Sequence, residues 1–222
     1  MKMKRYLIAI VCCLALTTTK VRADSPLTST DFNRAYQDVA LVKKASTSGM
    51  DDSIMAALSN PQVPHDVRAA IVNALGWNIN GQQNGRMYAE YVARSHNVTT
   101  SELTIDMLTP QEAFSLGYLL AMDDYFTMKP LGGTGEVEQA QPLELLDAAV
   151  GKNHRDFSIY LIRSLVRTQN EMHRLTWCGV YTDITSAISG FPFERNMRDE
   201  AVGIIMEYMN IYQEYCGDKA PN

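Results

Sequence analysis

The run from Asn153 to Leu175 carries the longest uninterrupted helical pattern in the chain and constrains the fold most. Its apolar and small residues recur at the three- and four-residue spacing of one helix face. This face comprises Phe157, Tyr160, Leu161, Ser164, Leu165, Thr168, Met172 and Leu175, and it is widened over three turns by Ile159, Ile162 and Val166. Because so wide an apolar face needs neighbours on two sides, the pattern predicts a core of several packed helices.

The rest of the chain repeats this kind of pattern. The clearest helix start is Thr109-Pro110-Gln111-Glu112, where Thr109 can cap, Pro110 occupies the first helical position and Glu112 completes a capping box. No window shows the period-2 alternation of β-branched residues that is typical of strands. We therefore predict an all-α protein of about eight or nine helices packed as antiparallel helical hairpins, of which an irregular α-solenoid-like array is one form.

One short segment resembles a known repeat. Leu58-Ser59-Asn60-Pro61, followed by Asp66-Val67-Arg68 and Ala74-Leu75-Gly76, resembles the short helix, turn and long helix of HEAT repeats. The resemblance covers about residues 58–76 and implies packed helical hairpins with a concave binding surface. It brings no catalytic residues, and no functional family is recognised. Since a stable solenoid needs at least three repeats, one clear unit does not establish a regular array.

Residues 1–23 have the features of a secretory signal peptide. A basic start is followed by the apolar run Tyr6–Leu16, which is too short to span a bilayer comfortably, and then by a cleavage site at Val21-Arg22-Ala23. Residues 24–222 are then predicted to form a single all-α domain without a transmembrane segment. We expect a periplasmic or extracellular protein.

The cysteines support the same interpretation. Cys12 follows Val11 rather than the small residue that lipid modification requires, which argues against a lipoprotein anchor. Removing the signal peptide leaves Cys178 and Cys216, and an even count in an oxidising compartment favours a disulfide. Such a bond would close a loop of about 39 residues and stabilise the fold by about 4 kcal/mol. The alternative is two separate buried thiols.

The charge of the chain limits its partners. Residues 1–23 contain five Lys or Arg and no acid, so the remaining 199 residues contain 15 basic and 25 acidic side chains and carry a net charge of −10. Nucleic acids and anionic membranes require clustered positive charge, so neither is an expected partner. The cysteine and histidine spacings match no zinc site, and we predict neither a metal nor a cofactor.

Three arginines of the long helix form a strip: Arg163, Arg167 and Arg174. Arg163 and Arg167 are four residues apart, where like charges repel mildly on a helix. One interpretation pairs them with carboxylates of a neighbouring helix, such as Glu144 or Asp147. The other makes the strip a binding pocket for an anion or carboxylate.

Two tryptophans are the other candidate ligand-binding residues. Trp77 follows a predicted helix end, and Trp177 adjoins the predicted disulfide. Aromatic side chains at the ends of helical hairpins can line a groove for a glycan or peptide, although they also commonly belong to the core.

The remaining titratable residues predict no reaction. Asp123 and Asp124 are adjacent on a helix, diverge by about 100° and are expected on a solvated face. The four histidines, His65, His96, His154 and His173, are expected to be structural or solvated, because no catalytic or metal-binding spacing joins them. The sequence thus identifies no catalytic residue.

These observations favour an exported, non-catalytic helical protein that binds a protein, peptide or glycan. The alternative is an exported helical hydrolase or lyase whose carboxylates come from separate helices. A third hypothesis is a structural envelope protein that acts through its acidic surface.

Overall fold

A computed structural model describes residues 25–76 and 83–217, and within these ranges the protein is helical without any strand. Three 3₁₀ helices cover Phe32–Tyr36, Thr100–Glu102 and Asn210–Cys216. The α-helices are α1 Ala40–Ser48, α2 Asp52–Ser59, α3 His65–Gly76, α4 Asn84–Ser95, α5 Pro110–Asp123, α6 Glu136–Gln139, α7 Pro142–Lys152, α8 Phe157–Glu171, α9 Trp177–Ser189 and α10 Asp199–Met209. The all-α prediction is confirmed.

The predicted signal peptide at residues 1–23 and the candidate Trp77 lie outside the described residues. Of the helices in residues 25–76 and 83–217, none combines the length and the apolar character that crossing a membrane requires.

Helix α5 lies at the centre of the fold and is buried from Glu112 to Met122. It contacts α2, α3, α4, α7 and α8. Its start follows the predicted capping box, because the Thr109 hydroxyl accepts a hydrogen bond from the Glu112 amide at 3.3 Å and the Glu112 carboxylate accepts one from the Thr109 amide at 2.9 Å. A helix that is apolar on nearly every side is stable only when neighbours surround it, and these contacts provide them.

A glycine permits the close approach of α5 and α7. A Cβ atom at Gly117 of α5 would lie 2.8 Å from the carbonyl oxygen of Pro142 and 2.9 Å from the Cγ atom of Leu146, both in α7. These distances are shorter than van der Waals contact. The absence of a side chain at Gly117 therefore lets α5 and α7 pack directly against each other.

The segment that resembles a HEAT repeat forms the pair α2–α3, joined by a short turn. Arg68 of α3 is fully buried, and its guanidinium donates hydrogen bonds to the carbonyls of Leu58 at 2.8 Å and Asn60 at 2.7 Å. These carbonyls belong to the end of α2, where a helix leaves acceptors unpaired. Burial lowers the pKa of Arg68 to about 10, so the side chain still carries its charge at neutral pH.

The helix predicted from Asn153 to Leu175 is shorter in the structure, where α8 covers Phe157–Glu171. The Asp156 carboxylate accepts a hydrogen bond from the Ile159 amide at 3.0 Å and thereby caps the helix start. Beyond Glu171 the chain turns, and Thr176 caps the next helix by accepting a bond from the Gly179 amide at 3.0 Å. Trp177 and Cys178 are consequently the first residues of α9.

The apolar residues from Phe32 to Val42 follow the spacing of one helix face, but they are divided between the 3₁₀ helix Phe32–Tyr36 and α1. Helix α1 begins only at Ala40, because Val39 has an extended backbone. Three- and four-residue spacings do not distinguish one α-helix from two consecutive helical turns of different type.

Candidate functional site

The arginine strip of α8 is engaged in ion pairs with two other helices. The Arg163 Nε atom lies 2.7 Å from the Asp147 carboxylate of α7, one of the two partners considered from the sequence. Arg167 donates from Nη2 to both carboxylate oxygens of Asp183 in α9, each at 2.8 Å. The Thr168 hydroxyl donates to the same carboxylate at 2.9 Å. Two of the three arginines therefore hold α8 to α7 and α9.

Arg174 does not share this arrangement. It lies in the turn between α8 and α9 and is exposed. Within residues 25–76 and 83–217 it has no carboxylate within salt-bridge distance, whereas Arg163 and Arg167 each have one. Asp183 was missed in the sequence because it lies on α9, whose packing against α8 only the tertiary structure defines.

Trp177 forms an aromatic cluster beside the disulfide between Cys178 and Cys216. Its ring stacks on that of Tyr212, with centroids 5.4 Å apart and planes 7° from parallel, and Tyr215 contributes a third ring at 6.3 Å. The indole remains 44% exposed, whereas Tyr212 is buried. The disulfide links the first turn of α9 to the last 3₁₀ helix and holds these rings together.

A groove of about 470 Å³ lies between the segment that follows α5 and the end of α8. It is lined by Ser25, Tyr125, Phe126, Met128, Gln169, Asn170, Met172 and His173. Aromatic and methionine side chains supply its apolar surface, and two side-chain amides and an imidazole supply its polar groups. This mixture is typical of ligand sites, in which an apolar surface provides affinity and a few polar groups set orientation.

Phe126 is the most unusual residue of the groove. Its side chain is 85% exposed, more than any other large hydrophobic residue in the described part of the chain, where Ile211 follows at 55%. A phenyl ring in water forgoes about 2 kcal/mol of burial free energy, which contact with a partner would recover. Phe126 therefore offers a site at which a partner can gain affinity.

Met128 adopts a strained backbone conformation at the same groove. Its φ of 47° lies in the left-handed region, which costs a residue other than glycine roughly 1–2 kcal/mol. The side chain is nevertheless buried and lines the groove. Such strain is often found at functional sites, and here it occurs at a residue whose buried side chain lines the groove.

The groove continues into a second cavity of about 300 Å³. Met128 and Asn170 line both, and the first turns of α7 provide the rest of the second cavity through Gln141, Pro142, Leu143, Glu144 and Asp147. Ser25 also lines the groove, and its hydroxyl donates a hydrogen bond to the Gln169 amide oxygen. Because they share Met128 and Asn170, the two cavities form one continuous concave surface.

Asp123 is not on a solvated face, and that prediction is wrong. Its carboxylate packs at the start of α4 and accepts a hydrogen bond from the Gly85 amide at 2.7 Å. Burial raises the pKa of Asp123 to about 6, although the hydrogen bond from Gly85 opposes this shift. Asp124 differs, because its hydrogen bonds with Thr127 lower its pKa. The two adjacent acids thus have opposite environments.

The buried carboxylate of Asp156 joins α3 to α8. Asp156 Oδ2 lies 2.8 Å from His65 Nδ1 and accepts a hydrogen bond from the Asn196 amide at 2.8 Å. Burial alone would raise the pKa of Asp156, but the hydrogen bond and the charge of His65 hold it below its usual value. His65 and Asp156 connect separate helices while Asp156 also caps α8, so the pair has a clear structural role.

The remaining histidines are separated from this pair. His96 lies 3.1 Å from the Glu112 carboxylate, which also caps α5. His154 and His173 are exposed. Across the described ranges, no three His, Cys, Asp or Glu side chains lie close enough together to hold a metal ion.

Comparison of the chain with protein-family models, curated proteins and solved structures finds no match. Any functional assignment therefore depends on the geometry of the chain itself.

The groove was not predicted from the sequence. Tyr125 and Phe126 follow the acidic pair at the end of α5, and two aromatic residues at a helix end are a recognisable signal for an exposed contact. The opposite wall comes from the end of α8, more than one helix away in the chain. Only the packing of α8 against α5 and α7 brings the two walls together.

Proposed function

We propose that this chain is an exported, non-catalytic binding protein whose groove accepts an apolar side chain of a partner protein or peptide. The single observation that carries the proposal is Phe126, an 85% exposed phenyl ring at the edge of a concave surface that also contains Tyr125, Met128 and Met172. Large aromatic side chains dominate the affinity of protein interfaces, and methionines adapt to the shape of the group they contact.

The polar groups of the groove favour a peptide backbone as the second element of recognition. Asn170 offers an amide that can donate to a carbonyl and accept from an N–H group, and Gln169, whose oxygen accepts from Ser25, can donate from its NH₂ group. The second cavity adjoins the groove at Met128 and Asn170 and gives room for a peptide segment longer than one side chain. The disulfide between Cys178 and Cys216 supports export, since such bonds persist in oxidising compartments.

The test is selection of binders from a random peptide library against the mature protein, followed by affinity measurement with purified variants. We expect the selected peptides to contain an aromatic or aliphatic anchor, and Phe126→Ala to weaken their binding at least tenfold, as truncation of a central interface residue does. Phe126 is exposed, so its replacement should leave the melting temperature unchanged.

Ile211→Ala is the matched control, because Ile211 is 55% exposed on a different part of the surface. Binding should be the same in this variant as in the wild type. Peptides whose affinity is insensitive to Phe126→Ala would contradict the proposal. Loss of binding in Trp177→Ala alone would instead place recognition on the aromatic cluster, and a glycan array would then distinguish a sugar from a peptide.

A further inference from the structure

A second concave surface lies at the start of α8 and differs from the groove in its charge. This cleft of about 430 Å³ is lined by Arg155, Phe193, Glu194, Arg195 and Asn196. Its two arginines belong to different segments: Arg155 directly precedes the cap of α8, and Arg195 lies in the loop between α9 and α10. We call it the Arg155–Arg195 cleft.

Neither arginine has a carboxylate partner. Arg163, Arg167 and Arg198 each form an ion pair, whereas no carboxylate in residues 25–76 and 83–217 lies within 4.0 Å of the Arg155 or Arg195 guanidinium. The mature chain has ten more acidic than basic side chains, so two arginines without an ion pair that line one cleft make a locally positive site on an acidic protein. Such a site is complementary to an anion.

Aromatic rings hold both guanidinium groups. The Cζ atom of Arg155 lies 4.7 Å from the Phe193 ring centroid, and that of Arg195 lies 5.6 Å from the Phe157 centroid. A guanidinium stacked on a ring keeps the N–H groups along its edge free to donate. Phe191 contacts both rings, at 5.7 Å from Phe193 and 5.2 Å from Phe157, and so connects the two sides.

The loop that carries Phe193 and Arg195 is fixed to the body of the protein. Asn196 donates to the buried Asp156 carboxylate at 2.8 Å and accepts a hydrogen bond from the Ser158 amide at 2.9 Å. Phe191 is buried against Phe157 and Tyr160. The loop therefore has a defined position, and ordering on ligand binding is limited to exposed side chains such as Arg155 and Arg195.

We infer that the Arg155–Arg195 cleft binds a small phosphomonoester with a flat apolar body. The two guanidinium groups match the double negative charge and the several acceptor oxygens of a phosphate. The Phe193 ring is 37% exposed and offers a surface for the apolar body. Glu194 lines the same cleft, and its negative charge opposes anion binding.

The experiment titrates phenyl phosphate, inorganic phosphate and phenol into the mature protein by isothermal calorimetry and by amide chemical shifts. Phenyl phosphate should bind most tightly, inorganic phosphate more weakly, and phenol not measurably. Arg155→Ala and Arg195→Ala should each weaken phenyl phosphate binding at least tenfold, which corresponds to about 1.4 kcal/mol. Added salt should also weaken it, because the cleft is open to solvent.

Two further variants make the test specific. Arg174→Ala removes the same charge from an exposed arginine outside the cleft and should change the affinity less than twofold. Glu194→Gln should strengthen binding severalfold, since it removes a negative charge from the lining of the cleft. Absence of binding by phenyl phosphate at millimolar concentration would overturn the inference. Equal losses in Arg174→Ala and Arg195→Ala would also overturn it, since they would indicate general charge attraction without a site.

Discussion

Replacing Arg167 with alanine tests whether the arginine strip of α8 is structural. The substitution removes both hydrogen bonds to the Asp183 carboxylate and leaves that group only the Thr168 hydroxyl. The Arg167 and Asp183 side chains are 31% and 29% exposed, so the pair lies between a surface ion pair and a buried one. Stability should therefore fall in Arg167→Ala.

The magnitude follows from this intermediate exposure. Fully exposed ion pairs contribute about 0–1 kcal/mol, and hydrogen bonds to charged groups about 1.5–3 kcal/mol. For a pair about two-thirds buried, with two hydrogen bonds, we expect a loss of about 1–2 kcal/mol in the free energy of unfolding. A domain of this size changes its melting temperature by about 2–4 °C per kcal/mol, so the melt should shift down by about 2–8 °C.

Urea denaturation and a thermal melt measure the effect, with two controls of decreasing burial. Arg163→Ala removes a pair whose partner Asp147 is 49% exposed and should cost under about 1 kcal/mol. Arg174→Ala removes no ion pair and should cost nothing measurable. An Arg167→Ala protein that is as stable as Arg174→Ala, or more stable than the wild type, would refute the structural role.

Two other predictions concern the disulfide and a buried acid. Reduction of the Cys178–Cys216 bond should destabilise the fold by about 4 kcal/mol in the chain-entropy model. The melting temperature should therefore fall by at least several degrees in reductant. In a Cys178→Ser, Cys216→Ser double variant, reductant should leave the melting temperature unchanged. The pKa of Asp123 is raised to about 6, so lowering the pH from 7 to 5 should stabilise the wild type relative to Asp123→Asn. The reason is that the folded chain takes up a proton over this range, whereas the Asp123 carboxylate of the unfolded chain takes one up only near pH 4. If urea denaturation shows the same pH dependence of stability for both proteins, the Asp123 carboxyl titrates normally.

Local patterns in the sequence predict the helices but not the contacts between them. The capping box at Thr109 and the apolar stripe of α8 depend on residues within a few positions, so both were found. The end of α8 was placed too late because the apolar spacing continues through Met172 and Leu175 while the backbone turns. Periodicity records which side chains face the core, and it does not record where the hydrogen-bonded helix stops.

The candidate sites are harder to predict from the sequence for the same reason. Asp147 was identified as a partner of the arginine strip because α7 directly precedes α8, whereas Asp183 requires knowledge of how α9 packs. Asp123 was assigned to solvent from its helical position alone, and its burial results from the start of α4. The two clefts combine segments that are distant in the chain, and no short motif marks such a combination.

The close contact at Gly117 has a consequence for how a partner would be selected. It joins α5, which leads into one wall of the groove, to α7, which lines the second cavity, at a point where Gly117 itself has no side chain that could change rotamer. The relative position of these two helices should therefore change little when a partner binds, and adjustment is left to the methionine and aromatic side chains of the groove. Competing partners would then differ mainly in how long they remain bound and only slightly in how fast they arrive.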